Sequence, residues 1–475
     1  MLFSSLEFIF LFLPICTAVY FLSPLRIRNL VLLLFSLIFY GFGEPLYVFL
    51  MLFTIAADHI FGLLVQKHRE DKKRAKRMLS LAILFNLGIL AYFKYFSFFL
   101  EILSAIFNRS LPIRAPQSLP IGISFYTFQA MSYVIDVYRQ EVNAEKSPVV
   151  TGTYVILFPQ LVAGPIIRYK DIAAQLKERR HTISKAASGI RRFSIGLAKK
   201  CILANSAGEI WSGFCTDISN GAPISTLGAW LALTAFAFQI YFDFSGYSDM
   251  AIGLGRIFGF EFPENFNYPY ASKSITDFWR RWHITLSSYF REYVYIPLGG
   301  NRCGKLKMYL SLFAVWSLTG LWHGASFNFL LWGVYYFILL LIEKSFLLRA
   351  LERTPTVFRR AYTLLFIALG WLIFSADGVA LSMSGVIECF GTLFSLGDTP
   401  LFTQRALYET RRHLFFFLIM AVASTPLPKN ILDRAEVRLP KITLAFENVL
   451  ALSSILLSTA YLVNSGYNPF LYFRF

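Results

Sequence analysis

Apolar runs long enough to cross a bilayer recur along the whole chain, interrupted by polar or basic segments. The first covers 3–22, with no basic region before it and no small-x-small cleavage site after it, so an uncleaved first helix is expected. Arg26 and Arg28 follow, which places the start outside and the first loop inside. Two stretches, 29–43 and 46–65, are separated by Gly43-Glu44-Pro45 and predict a helical hairpin. Residues 66–77 then carry seven Lys or Arg against Glu70 and Asp71, the signature of a cytoplasmic loop. Another span is predicted over 78–100, with Lys94 near its far end in a position to snorkel.

The chain returns over 119–138. The next apolar stretch, 151–167, is short and contains Pro159, Gly164 and Pro165, which predicts a re-entrant segment. Residues 168–200 hold ten Lys or Arg against Asp171 and Glu178, a second cytoplasmic loop with an interfacial amphipathic helix. Further runs lie near 201–214, 225–244, 306–322, 325–343, 361–376, 413–425 and 444–463, with a basic patch over 344–360. The pattern predicts an all-α polytopic integral membrane protein of about eleven to thirteen membrane segments, re-entrant helices included, around a central cavity. No repeat, low-complexity tract or long linker is visible, so one domain over 1–475 is expected.

Composition agrees. Hydrophobic residues make up 56% and charged residues 15%, where soluble chains carry about 25% charged residues. The net charge of +17 would suggest nucleic acid in a soluble protein. Here basic loops facing anionic lipid account for it, and no nucleic-acid partner is expected. The five cysteines form no CxxC pair and show no zinc spacing, so neither a disulfide framework nor a metal is expected.

Residues 239–304 are too polar for a lipid-facing span. They include Asp243, Ser245 and Asp249, the run from Asn265 to Tyr270, the cluster Trp279-Arg280-Arg281-Trp282-His283, and Asn301. Irregular backbone at membrane depth survives only when buried in protein or lining water, so a polar cavity is expected here. His323 lies in Leu321-Trp322-His323-Gly324, inside otherwise apolar sequence. An ionisable ring in such a setting is costly and by default functional, and imidazole exchanges protons near neutral pH.

Four segments carry a family resemblance: Phe158-Pro159-Gln160-Leu161-Val162-Ala163-Gly164-Pro165, the run 243–249, residues 277–287, and Leu321-Trp322-His323-Gly324. With them the chain resembles the membrane-bound O-acyltransferase family, and within it the bacterial alginate O-acetyltransferase branch, over essentially its whole length. The resemblance implies a catalytic core over about 155–345 and His323 as the catalytic base, with Trp322 fixing its ring and Gly324 letting substrate approach. It implies His283 as a second catalytic position, orienting a carbonyl or holding the tautomer of His323. Lys273, Arg280 and Arg281 would attract the phosphates of a coenzyme thioester or snorkel to headgroups. Trp279 and Trp282 leave an interfacial anchor as the alternative role for that cluster. Asp243, Ser245, Asp249 and Asn301 are cavity or substrate-binding candidates; the first three alternatively form a structural polar network, bonding cavity backbone or balancing Arg256. His59 and Asp58 read as structural, and His68, His181 and His413 as solvated.

The aromatic tail over 466–475 contains Tyr472, a candidate transient acyl acceptor by resemblance or else part of an interfacial belt. The implied donor is cytosolic acetyl-CoA, and the implied partners are an extracytoplasmic SGNH esterase-like acetyltransferase, an exported polysaccharide and membrane lipid. The implied location is the bacterial inner membrane. Teichoic acid D-alanyl transfer is the near alternative, and a proton-coupled transporter the alternative from another class.

Overall fold

The computed structural model describes residues 1–108, 113, 116, 118–220, 222–378, 383–464, 466–469 and 471. Among these, all regular structure is helical. The chain forms two compact units, Met1–Phe193 with Tyr247–Pro263, and Ser194–Gly246 with Glu264–Phe475.

Six helices among the described residues are long and apolar enough to cross a membrane: Tyr47–Lys67, Lys72–Phe107, Thr226–Ile257, Phe327–Glu352, Thr356–Ala376 and Pro440–Asn464. A seventh results if Gln404–Ala423 and Leu427–Arg438, bent by 59°, form one broken span. The eleven to thirteen membrane segments anticipated include short and re-entrant helices as well as full crossings. Several apolar stretches fold as shorter helices, such as Phe8–Leu22, Ile123–Tyr138 and Asn205–Ser219. An apolar run buried against protein need not reach across a bilayer, so hydropathy alone does not separate full crossings from buried segments.

In the first unit, Tyr47–Lys67 packs against the next helix and against Ile123–Tyr138. The basic loop ends where Asp71 caps the following helix, accepting from the N–H groups of Lys73 (3.1 Å) and Arg74 (3.0 Å). Asp58 is fully buried and accepts a 2.7 Å hydrogen bond from Asn86. Lys94 does not snorkel. It is buried on a π-helical turn, Ala91–Tyr95, and its ammonium donates to Ser124 Oγ at 3.2 Å.

The segment 151–167 is buried at every position. Its helix, Pro148–Ile156, stops at Leu157, and the chain then turns through Val162 at φ +73°. A Cβ at Gly164 would strike the Gln160 backbone, which is why that turn needs glycine. The second basic segment contains two helices, Tyr169–Lys177 and Ile183–Ala198. Between them His181 is half-buried rather than solvated, 2.9 Å from the Tyr20 hydroxyl and 3.4 Å from Arg28.

In the second unit, Lys305–His323 and Phe327–Ile342 form a tight hairpin broken at Gly324. Gly320 and Gly333 allow the backbones to touch, since a Cβ on either would collide with a main-chain carbonyl of the other helix. Phe327–Ile342 also packs on Thr356–Gly378. The polar run 239–249 belongs to one continuous helix, Thr226–Ile257, and irregular backbone begins only after it. That helix is the most enclosed of the six, with 61% of its apolar window buried, so its polar face meets protein rather than lipid.

Candidate active site

His323 closes the helix Lys305–His323, and Gly324 follows in extended conformation. The residue is 3% exposed. Trp322, Trp332 and Phe374 surround it, with ring centroids 5.0, 5.1 and 5.3 Å away. The space beside Gly324 is not an open approach. A Cβ there would strike the Phe329 ring, which stacks toward His323 at 6.5 Å.

His283 is also buried and precedes the short helix Ile284–Phe290. Its φ of +45° is a left-handed conformation that side chains other than glycine rarely adopt. Asn265 holds it there. The Asn265 backbone oxygen accepts from Ile284 N–H at 3.0 Å. Its Oδ1 accepts from Thr285 N–H (3.3 Å) and Thr285 Oγ1 (2.9 Å) and lies 3.1 Å from His283 Nδ1. A backbone N–H can only donate, so this atom is the amide oxygen and His283 Nδ1 is the donor to it. In the neutral ring Nε2 then carries the lone pair. Phe244 meets the His283 ring edge-on at 4.7 Å, and Trp322 lies 5.7 Å away. The two histidines thus share one indole neighbour.

Trp279 and Trp282 are core residues, not interfacial anchors. Trp279 packs on Trp316, Trp332 and Tyr336, and Trp282 on Phe266, Phe278 and Trp371. The helix carrying Trp279, Ile275–Trp279, starts on a buried carboxylate. Glu343 accepts from Ile275 N–H (2.7 Å), Thr276 N–H (2.8 Å) and Thr276 Oγ1 (2.6 Å).

The other anticipated residues scatter. Asp243 is buried in an ion pair with Lys200 at 2.9 Å. Ser245 is buried on the same helix, and its hydroxyl has no hydrogen-bond partner among the described residues. Asp249 falls in the first unit and pairs with Arg192 at 2.9 Å, a partner not anticipated. Lys273 and Arg280 are exposed, while Arg281 is half-buried against Asp277 at 2.8 Å. Asn301 is exposed and accepts from the Tyr295 hydroxyl at 2.7 Å, so it lines no interior cavity. His59 meets Thr151 at 3.0 Å, and His413 pairs with Glu409 at 3.2 Å rather than standing free in solvent. Tyr472 lies outside the described residues.

A cavity of about 810 Å³ opens in the second unit, between Thr226–Ile257, Thr356–Gly378 and the bend after Ala423. Its wall is mostly apolar, with Phe238, Tyr270, Leu364 and Trp371 among its residues and Arg360 as its charged one. Trp371 contacts Phe374 at 5.5 Å and Phe374 contacts His323, so two aromatic layers separate this space from the catalytic candidate.

Asn265, Lys200, Glu343 and Phe374 were not singled out from sequence for these contacts. Asn265 and Glu343 act across 18 and 68 positions, and no local pattern reports that distance. Lys200 left one signal: it is the last cation of a basic run, directly before an apolar stretch.

Residues 147–386 match the membrane-bound O-acyltransferase family. The chain is 42% identical over 407 residues to "Probable alginate O-acetylase AlgI" of Pseudomonas putida, covering 84% of this chain and 82% of that protein. It is 35% identical over 415 residues to a "Peptidoglycan O-acetyltransferase" of Helicobacter pylori, covering 80% and 78%. It is 30% identical over 274 residues to a "Teichoic acid D-alanyltransferase" of Bacillus subtilis, covering 54% and 68%. The family match takes in both buried histidines, and identity to the first of these relatives runs through most of both chains. This multi-pass membrane chain therefore belongs to the membrane-bound O-acyltransferase family.

Proposed function

We propose that this enzyme moves an acetyl group from cytosolic acetyl-CoA across the bacterial inner membrane, for O-acetylation of an exported, alginate-like polysaccharide. One observation carries the mechanism: His323 and His283 are both buried and both in contact with Trp322, in a chain of this family. His323 accepts the proton of the attacking hydroxyl, a role worth about 10² to 10⁴-fold in rate. His283, its tautomer set through Asn265, orients the acyl carbonyl or His323 itself. The developing oxyanion needs a donor, which a backbone N–H supplies, because neutral His283 presents only the Nε2 lone pair.

The exposed Lys273 and Arg280 attract the coenzyme phosphates from the cytosolic side. Tyr472 is the transient acyl acceptor, brought toward His323 by the tail. A membrane-anchored SGNH esterase-like partner then passes the acetyl group to the polymer. The catalytic core extends over about 155–345 within a single functional domain. Acetyl is favoured over D-alanyl transfer by higher identity and wider coverage: 42% over 84% of the chain against 30% over 54%.

Substrate entry requires the aromatic layers around His323 to part, because the ring is enclosed in this conformation. The test is His323→Ala. Surface-polymer acetylation is lost while the protein stays in the membrane at its normal level. Retained acetylation refutes the assignment. Everted vesicles supplied with labelled acetyl-CoA or with a D-alanyl carrier separate the two donors.

A further inference from the structure

The chain's final described residues lie against its most deeply buried ion pair among those described. The side chains of Lys200 and Asp243 are each 2% exposed and meet at 2.9 Å. Close backbone contact creates this pairing. Gly246 lies one turn beyond Asp243, and a Cβ there would fall 2.7 Å from Gly196 O and 3.1 Å from Lys200 N. Lys200 sits on a π-helical turn, Lys199–Ala204, a distortion that often marks functional positions. The helix Pro440–Asn464 packs on that turn and delivers the tail to it.

The hydrogen bonds of the pair are completed by the tail. An ammonium has three donors. Lys200 donates to Asn205 Oδ1 (2.8 Å) and to the carbonyl of Pro469, while its ammonium lies beside Asp243 Oδ1 as an ion pair. Asp243 Oδ2 accepts the N–H of Leu471 at 3.0 Å. Asn205 Nδ2 lies 3.3 Å from both Tyr467 O and Asn468 Oδ1. Three of these four tail groups are main-chain atoms. Pro469 has a fixed φ and no N–H to satisfy, so it offers its carbonyl at low entropic cost. Gly208 leaves room alongside, where a Cβ would come within 2.8 Å of the Tyr467 hydroxyl. Removing the tail would leave one ammonium proton and one carboxylate oxygen unsatisfied in a buried site, the costly kind of vacancy.

We propose that Lys200, Asn205 and Asp243 form a main-chain-reading cradle that fixes the register of the carboxy-terminal residues 467–469 and 471. They are positioning residues: they set where the next residue, Tyr472, is presented. This rests on the reading in which Tyr472 accepts the acyl group. It assigns Asp243 on the Thr226–Ile257 helix to the protein's own tail rather than to substrate.

A nitroxide on Gly466→Cys, in a chain stripped of its five native cysteines, reports the tail directly. The parent shows an immobilised spectrum. The charge-neutral pair Lys200→Met with Asp243→Leu gives a mobile spectrum and at least a tenfold loss of acetylation. Asn205→Ala, which leaves the ion pair intact, shifts both readouts in the same direction and serves if the pair variant fails to fold. Leu471→Ala keeps both at parent levels, because its main chain is unchanged. One alanine inserted between Leu471 and Tyr472 keeps the immobilised spectrum and loses acetylation. An immobilised tail in Asn205→Ala and the pair variant, or a mobile tail with undiminished acetylation, overturns the proposal. His323→Ala separates the two readings. It leaves the spectrum unchanged, and if it retained acetylation the acyltransfer scheme would fail while the spectra still judged the cradle.

Discussion

Glu343→Gln tests whether a single carboxylate sets the segment that leads to His283. Glu343 is 1% exposed and accepts three hydrogen bonds, from Ile275 N–H, Thr276 N–H and Thr276 Oγ1, at 2.6 to 2.8 Å. A glutamine of the same shape has one acceptor oxygen and one NH₂. With the NH₂ at Oε1, it faces the N–H of fully buried Ile275. With the NH₂ at Oε2, the Thr276 hydroxyl can rotate to accept, but the Thr276 N–H is stranded. Either way one backbone donor is orphaned, at about 1–3 kcal/mol. The surviving bonds also lose their charge assistance, which roughly halves them. The total is about 2–4 kcal/mol.

The helix start loosens, and with it the path through Trp279 and Trp282 to the strained His283. In lipid nanodiscs the variant unfolds roughly 2–4 °C lower. Its acetyl transfer falls about tenfold, since small misplacements of reacting groups are costly. Thr276→Val removes only the hydroxyl donor and costs about 1 kcal/mol. If Glu343→Gln unfolded with the wild type and turned over at full rate, the carboxylate would not be holding this segment.

Gly320→Ala puts a Cβ against the Phe329 carbonyl, a backbone atom with nowhere to move. The hairpin opens by about 1 Å in a close-packed interior, costing about 1–3 kcal/mol and about 100-fold in transfer. Gly88→Ala, with open space beside it, is the control and leaves melting and transfer unchanged or slightly improved; equal behaviour of the two variants would remove the packing explanation. His181 lies outside the spans, and burial, then the charges of Arg28 and Arg179, hold its pKa below the usual 6.5. The folded state therefore disfavours the proton. Its stability contribution is complete above pH 6.5 and is lost as pH falls from there through the lowered folded value. His181→Gln flattens this acid-side decline in nanodisc melting curves, and an unchanged pH slope would contradict it.

Much of the membrane character was legible in sequence, because lipid constrains composition strongly. The hairpin break at Gly43-Glu44-Pro45 and the two basic loops follow from residue type alone, since charge and helix-breaking act locally. So does the placement of His323 at the end of an apolar helix. The number of crossings was not legible, because a helix buried in protein is as apolar as one facing lipid. Lys94 illustrates the same limit. Its position near a span's end predicts snorkelling, yet Ser124, thirty residues away, gives it a buried partner.

By itself, then, the sequence determined the solvent this chain is built for, its family, and the two imidazoles on which the chemistry is proposed to turn. Hydropathy, charge and short motifs are properties of neighbouring residues, and they need no partner to be read. Only the tertiary structure decided that Asn265 sets the ring of His283, that Phe329 fills the space beside Gly324, and that the tail's main chain completes the Lys200–Asp243 pair. Each of these depends on a polar or steric demand being met by a residue far along the chain, and the need to satisfy a buried group does not specify which residue will answer it.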